Sequence, residues 1–258
     1  MQTTLTESQF IQLSKLVYKE SGINLKDNKK SLLQARLAKR LRATNTSSIS
    51  EYIKLLADDP IEYVHFIDGV TTNHTYFFRE NKHIEFILDN VGPDRHLKIW
   101  SGASSSGEEA YSIAIQLYAK SYSFSIIGSD ISDTMLETAS KGIYPIERAK
   151  SIPLPILHRY FKKGKNSFQN YIKIKDEIKQ FVSFKKFNLV TDITSEKFDI
   201  IFLRNVMIYF DLKTKQRVVD HIRRALKEGG YFIIGQSENL LGITAEFKTV
   251  SPSIYLKV

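Results

Sequence analysis

The residues with chemical capacity sit where short apolar runs stop. Leu97 to Trp100 ends at seven small residues, Ser101 to Gly107, and Glu108 and Glu109 then open an amphipathic stretch. This is a strand, a tight loop and a helix, whose bare backbone admits a ligand and whose amides at the helix N-terminus favour polar or anionic groups. A βα turn without a ligand shares the pattern. A second apolar run, Phe124 to Gly128, ends at Ser129 and Asp130, 23 residues beyond Gly107. An acid about 20 residues past a glycine loop is placed to accept hydrogen bonds from ribose hydroxyls. Taken alone, it serves equally as the N-terminal acid of the next helix. The run Val182 to Phe187 ends at Asn188 and Leu189, where a carboxamide and a backbone amide could read an adenine edge, although Asn at a strand end is also a turn former. Phe198 to Leu203 ends at Arg204 and Asn205.

The elements that must hold these residues alternate. Helices are expected from about Gly107 to Lys120, over Thr134 to Ser140, and from about Leu212 to Lys227 with a stop at Gly229 and Gly230. Tyr231 to Gly235 reads as a further strand, and Phe247 to Val250 with Ile254 to Val258 as a closing hairpin around Pro252. Ser151 to Phe181, with Pro153, Pro155, Gly164 and the alternating YIKIK at Tyr171 to Lys175, predicts a small hairpin insertion. Such alternation makes a mostly parallel sheet with helices on both faces and ligands at the carboxyl ends of its strands. The loop Ser101 to Gly107, Asp130, Asn188 and Arg204-Asn205 all fall at such ends.

The amino-terminal third is helical. Thr6 and Gln9 have capping-box spacing with Leu5 and Phe10 as a hydrophobic staple, and Phe10, Leu13 and Val17 form a stripe that Gly22 can end. A second helix is predicted over about Asn28 to Arg42. It sets Leu33, Leu37 and Leu41 beside a cationic stripe of Lys29, Arg36 and Arg40. Ser48 with Glu51 repeats the capping-box spacing, and Pro60 suits a first helical turn. Thr71 to Glu80, TTNHTYFFRE, joins this module to the first strand and crowds side-chain donors against three aromatic residues.

Composition bounds the function. A chain of 258 residues, 42% hydrophobic and 25% charged, suits a soluble globular protein of one large or two small domains. The formal net charge is +9, and the segment Lys26 to Arg42 holds seven basic residues against the single acid Asp27. That concentration implies an acidic partner, which could be nucleic acid, an anionic membrane or an acidic protein surface. Without cysteine there is no disulfide or cysteine-ligated zinc. No apolar run approaches the roughly 20 residues of a membrane span. The polar start, MQTTLTESQF, lacks the features of a secretory signal, so a cytoplasmic location is expected.

The stretches TTNHTYFFRE, WSGASSSGEEAYSIAI, SDISDTMLETASKGIY, FDIIFLRNVMIYFD and GGYFIIGQSENL occur in this order. Together they closely resemble the CheR-type methyltransferases of bacterial chemotaxis, which methylate receptor glutamates with S-adenosylmethionine. The resemblance implies an α/β, Rossmann-like class I S-adenosylmethionine-dependent methyltransferase domain at 73–258, with a small antiparallel β-subdomain at 151–183, behind a helical receptor-binding domain at 1–72. It places the cofactor, released as S-adenosylhomocysteine, on Asn73, Thr75, Arg79, Glu109, Asp130, Asn188, Leu189, Arg204 and Asn205. Arg79 and Tyr209 would line the point where the methyl group meets the substrate carboxylate. Arg36, Lys39, Arg40 and Arg42 would hold the acidic helical methylation region of a chemoreceptor. A monomer without a nucleic-acid partner and without membrane insertion is implied. Two departures stand out: Ala110 replaces a common proline, and KGKNSFQN at Lys163 to Asn170 lacks the second glycine seen in members that grip a receptor's tethering peptide.

The implied chemistry needs no general base, because a glutamate of pKa about 4.3 is already ionised near neutral pH. No Ser-His-Asp or Cys-His arrangement occurs, and His65, His74, His83, His96, His158 and His221 show no metal-ligand spacing, so no metal is expected. Two other readings compete. A nucleic-acid methyltransferase fits the charge, although Arg204-Asn205-Val206-Met207 stands where amino-directed DNA enzymes carry D/N-P-P-Y/F. A non-enzymatic binder of the cofactor is the second.

Overall fold

The computed structural model describes residues 4–71 and 74–258, which form two compact units. Thr72 and Asn73, the latter an expected cofactor contact, lie outside the described residues. No helix among those described is long and apolar enough to cross a membrane.

The first unit takes the described residues up to 71 together with Tyr209–Lys215. Its helices are α1 (Glu7–Ser21), α2 (Lys30–Ala43), α3 (Ile49–Asp58) and α4 (Pro60–Val70). Helix α1 starts with the expected capping box, Thr6 and Gln9 each accepting the other's backbone N–H, and ends at Gly22 in the left-handed region. Ser48 caps α3 by accepting the Glu51 N–H, but the Glu51 carboxylate turns to the Ser47 amide and hydroxyl instead of closing a box. Leu33, Leu37 and Leu41 bury one face of α2 against Phe10, Leu13, Val17, Tyr52 and Phe66, as apolar residues four apart must when one helical face packs. The unit also buries a polar cluster. Arg40 grips the Glu62 carboxylate through Nε (2.9 Å) and Nη2, and the Tyr52 hydroxyl donates to the same carboxylate. In Tyr209–Lys215, the Tyr209 carbonyl accepts the Asn24 N–H, and Asp211 accepts the Tyr18 hydroxyl at 2.8 Å.

The second unit is the α/β one. In chain order it holds α5 (Lys82–Asn90), β1 (Leu97–Gly102), α6 (Glu108–Ala119), β2 (Phe124–Asp130), α7 (Asp133–Lys141), β3 (Ile143–Pro145), α8 (Leu154–Tyr160), β4 (Phe161–Lys163), β5 (Tyr171–Ile174), α9 (Asp176–Lys179), β6 (Val182–Lys186) and β7 (Phe198–Leu203). Helix α10 (Leu212–Ala225), which belongs to this unit from Gln216 onward, β8 (Leu226–Ile234), β9 (Phe247–Ser251) and β10 (Ile254–Lys257) complete it. The main sheet has the order β6-β2-β1-β7-β8-β10-β9, parallel from β6 to β8 and antiparallel at β10. The continuous burial of β7, FDIIFL, is what a central parallel strand covered on both faces requires.

Three boundaries differ from the sequence expectation. Strand β1 continues through Ser101 and Gly102, because both keep their partners in β2. Helix α10 ends at Ala225, two residues before the expected Lys227: Leu226 already pairs with Phe198, and Lys227 to Gly230 are taken up in a register shift before Tyr231 pairs with Ile200. The insertion is a three-stranded antiparallel sheet, order β3-β5-β4, that starts at Ile143, eight residues ahead of the expected 151. A three-residue strand such as Ile143 to Pro145 is too short to show an alternation of its own in the sequence.

Candidate active site

The carboxyl ends of β1, β2, β7 and β8 and the segment His74 to Glu80 build the site, all within the α/β unit. The β1–α6 loop is now Ala103 to Gly107, and Ala103, Ser105 and Gly107 all have positive φ. At Gly107 (φ +90°) a Cβ would stand 2.8 Å from the Ala139 Cβ and 2.9 Å from the Phe184 ring, so no larger residue fits this turn. Asp130, at the end of β2, fixes the loop: Oδ2 accepts the Ser105 N–H at 2.8 Å and Oδ1 the Ser132 N–H at 3.0 Å. Leu189 is buried and approaches the backbone at Gly102, where a Cβ would meet its Cδ2 at 3.4 Å. The Asn188 carboxamide accepts the Val190 N–H at 2.9 Å, the behaviour of a turn former.

Glu109, two residues into α6, accepts the Ser101 hydroxyl on Oε1 (2.7 Å) and Arg204 Nε on Oε2 (2.6 Å). Arg204, at the end of β7 with its side chain 3% exposed, reaches on through Nη1 to the backbone carbonyls of Arg79 (2.9 Å) and Glu80 (3.3 Å). The same nitrogen faces Nδ1 of buried His83 at 3.3 Å. Burial first, and the adjacent Arg204 charge second, push His83 down to about 4, so it stays neutral. Asn205 donates from Nδ2 to Glu80 (3.1 Å), whose other oxygen accepts the Gln236 N–H (3.1 Å). Phe78, Glu80 and Asn205, none of them glycine, all have φ between +50° and +60°. Local strain of this kind collects where surrounding contacts over-determine the backbone, typically at functional sites.

Arg79 donates from Nη1 to the His74 carbonyl at 3.0 Å and lies over the Tyr76 ring, its side chain 27% exposed. Thr75 gives its carbonyl to Arg148 Nη1 at 2.5 Å. Thus Arg79, Glu109, Arg204 and Asn205 share one connected set of contacts through Arg204 and Glu80, while Thr75 is held separately by Arg148 and Asp130 is joined to the β1–α6 loop. Arg36, Lys39, Arg40 and Arg42 belong to α2 of the other unit, and Tyr209 also clusters there. Arg40 differs from its neighbours because Glu62 already holds its guanidinium.

Three further participants, Glu80, His83 and Glu238, carry little or no signal in the sequence. Glu80 closes the TTNHTYFFRE motif and His83 follows it, yet neither has a spacing that distinguishes it from an ordinary surface residue. Glu238 had a signal, an acid three residues after the end of a strand at Gly235. Its buried carboxylate accepts the N–H groups of Asn205 (2.7 Å), Gly235 (2.7 Å) and Ile208 (3.2 Å). Burial raises its pKa while these backbone bonds pull the other way. Gly235 is required there, since a Cβ would come within 2.5 Å of Asn205 Nδ2.

The family model described as CheR methyltransferase, SAM binding domain, matches residues 73–256, and CheR methyltransferase, all-alpha domain, matches residues 8–71. The chain belongs to the CheR methyltransferase family. It is 36% identical to the chemotaxis protein methyltransferase of Borreliella burgdorferi, covering 98% of this chain and 95% of that protein. It is likewise 36% identical to chemotaxis protein methyltransferase 2 of Pseudomonas aeruginosa (97% and 93% covered) and 34% identical to the chemotaxis protein methyltransferase of Escherichia coli (97% and 91%).

As a CheR methyltransferase the chain is an enzyme that uses S-adenosylmethionine, and its Rossmann-like fold is the one the motifs implied. The residues at the strand ends fit that cofactor. A carboxylate offers about four acceptor positions, and the bonds described use two on Glu109, which leaves capacity for an ammonium group. Glu109, in the first turn of α6, would repel a phosphate and attract an ammonium group. Leu189 against Gly102 supplies an apolar wall.

Proposed function

We propose that this chemotaxis methyltransferase esterifies glutamate side chains on the cytoplasmic helices of a chemoreceptor, acting in the cytoplasm. Glu109 would hold the ammonium of the cofactor's methionine end, Asp130 the ribose, and Asn188 with Leu189 the adenine. Asn73, Thr75, Arg79, Arg204 and Asn205 would complete the contacts. When bound, S-adenosylmethionine supplies a methyl group on a sulfonium, an electrophile that needs no further activation. The chain's own task is then to align an ionised carboxylate, for which no proton need be moved. Such positioning is worth about 7 to 11 kcal/mol of barrier.

The observation that carries the reading is the state of Arg79. The one hydrogen bond described for its guanidinium runs from Nη1 to the His74 carbonyl, its Nε stands 3.9 Å from Glu80, and it remains partly exposed beside Arg204, whose charge Glu109 already meets. It is therefore suited to take up an incoming carboxylate. Tyr209, in the RNVMIYF motif, is proposed as its partner on the strength of that motif alone. The acidic face of a receptor helix would meet Arg36, Lys39 and Arg42 of α2, with Arg40 contributing mainly through its structural bond to Glu62.

The reading is tested by incubating the enzyme with methyl-labelled S-adenosylmethionine and receptor cytoplasmic domains. The expected label is base-labile and falls sharply in Arg79→Ala, while S-adenosylhomocysteine binding changes less than turnover does. Base-stable label, or full activity in Arg79→Ala, would overturn it.

A further inference from the structure

The small sheet has no part in the reaction as described, yet it touches the cofactor side of the α/β unit through one charged residue. Arg148 lies in the 3-10 turn Ile146–Ser151 that follows β3. Its Nη1 donates to the Thr75 carbonyl at 2.5 Å and stands 3.1 Å from Oε1 of Glu108. Glu108 is the first residue of α6, the direct neighbour of Glu109, and its side chain is 0% exposed. Its other oxygen accepts the Ser106 hydroxyl at 2.7 Å, and Arg148 is the charged group facing the remaining one.

A buried carboxylate is costly unless a cation meets it. The helix N-terminus and Ser106 account for part of the compensation, and Arg148 supplies the opposite charge. The same nitrogen thus pulls on two pieces that must keep their spacing: the start of α6 and the segment leading to Arg79. It does so across a cleft lined by His74, Thr75, Tyr76, Glu147 and Lys150. That segment leans on the small sheet again at Phe77, fully buried with its ring centroid 5.0 Å from Tyr144 of β3 and 5.3 Å from Phe161 of β4. Tyr144 in turn donates its hydroxyl to the Ser106 carbonyl at 2.7 Å.

We propose that Arg148 is a positioning residue that couples the small sheet to the cofactor site, holding the His74 to Arg79 segment in register with the loop and first turn of α6. The inference rests on the reading above that Thr75, Glu109 and Asp130 contact the cofactor. It gives the subdomain a role that needs no docked peptide: whatever shifts the sheet shifts cofactor affinity.

The test is calorimetric binding of S-adenosylhomocysteine to the full chain, with hydrogen exchange of the amides from Thr75 to Glu80. Arg148→Ala should raise the dissociation constant roughly tenfold, as loss of a charge-assisted hydrogen bond predicts, and Arg148→Lys by less. Exchange at those amides should quicken in Arg148→Ala without ligand present. Glu108→Gln, which keeps the side-chain shape, is the check if Arg148→Ala folds poorly. It should weaken binding by a smaller factor, and adding Arg148→Ala to it should cost less than in the parent. If Arg148→Ala and Glu108→Gln bind as tightly as the parent while Asp130→Ala binds weakly, the coupling is wrong and the cofactor reading stands. Unchanged binding in Asp130→Ala would overturn the cofactor reading and the coupling with it.

Discussion

Glu109 and Arg204 form an ion pair of 2.6 Å, their side chains 12% and 3% exposed, between the start of α6 and the end of β7. The pair joins the helix that follows the proposed cofactor loop to the strand end that carries Asn205, and Arg204 extends it to the carbonyls of Arg79 and Glu80. Arg204→Ala leaves a nearly buried carboxylate without its cation, so a loss of about 3 to 5 kcal/mol in unfolding free energy is expected. Arg204→Lys should recover little, because one ammonium cannot reproduce a fork bonded to both the carboxylate and the two carbonyls. Urea unfolding with and without S-adenosylhomocysteine checks both. A lysine variant as stable and as tightly bound as the parent would contradict the bridging role.

Glu238 organises the turn at the end of β7 by accepting backbone N–H groups from Asn205, Gly235 and Ile208. Glu238→Gln replaces one of its acceptor oxygens with a donor, so at least one N–H is left facing a donor. The expected cost is about 1 to 3 kcal/mol. Turnover should fall along with stability, since Asn205 is held by the same carboxylate. A variant with the parent's denaturation midpoint would show that the turn does not depend on these bonds.

His83 makes stability depend on pH. Facing Arg204, Glu80 and Glu109, it titrates at about 4 when folded against 6.5 when free. Between those values the unfolded chain binds more protons, so the contribution of His83 is fully present above 6.5 and drains away as pH falls toward 4. The loss amounts to about 3 kcal/mol at most. His83→Gln should lose less stability than the parent between pH 7 and pH 4.5, measured by urea titration at each pH. Parallel losses in the two proteins would place the titration elsewhere.

The α2 cations should separate into two behaviours. Burial alone would raise the pKa of Glu62, but the bonds from Arg40 and Tyr52 outweigh it and hold the carboxyl below its usual range. Arg40→Ala should therefore destabilise the helical unit by a few kcal/mol. Arg36→Ala, Lys39→Ala and Arg42→Ala should stay within about 0.5 kcal/mol of the parent, as surface changes do, while weakening receptor binding in a salt-dependent way. Thermal unfolding and receptor pull-down at two ionic strengths distinguish the sets. Equal destabilisation by all four would remove the distinction.

The parts of this architecture that announce themselves in the sequence are those with period or punctuation. The Leu33, Leu37, Leu41 stripe, the Thr6–Gln9 box and the FDIIFL strand follow from local rules, and the polar residues at strand ends mark the site. Partners 20 or more residues away are not readable in this manner. Nothing near Arg40 signals Glu62, nothing near Arg204 signals Glu109, and Arg148 looks like one more cation in a basic chain. Strand β3 and the end of α10 at Ala225 carry no local signal because pairing partners, and not intrinsic preference, decide those boundaries.

Tandem mass spectrometry of receptor cytoplasmic domains after reaction with S-adenosylmethionine should place each added methyl on a glutamate side chain, as an ester removed by mild base. Methyl groups on lysine, arginine or histidine, or transfer only to nucleic acid, would contradict the proposed ester product.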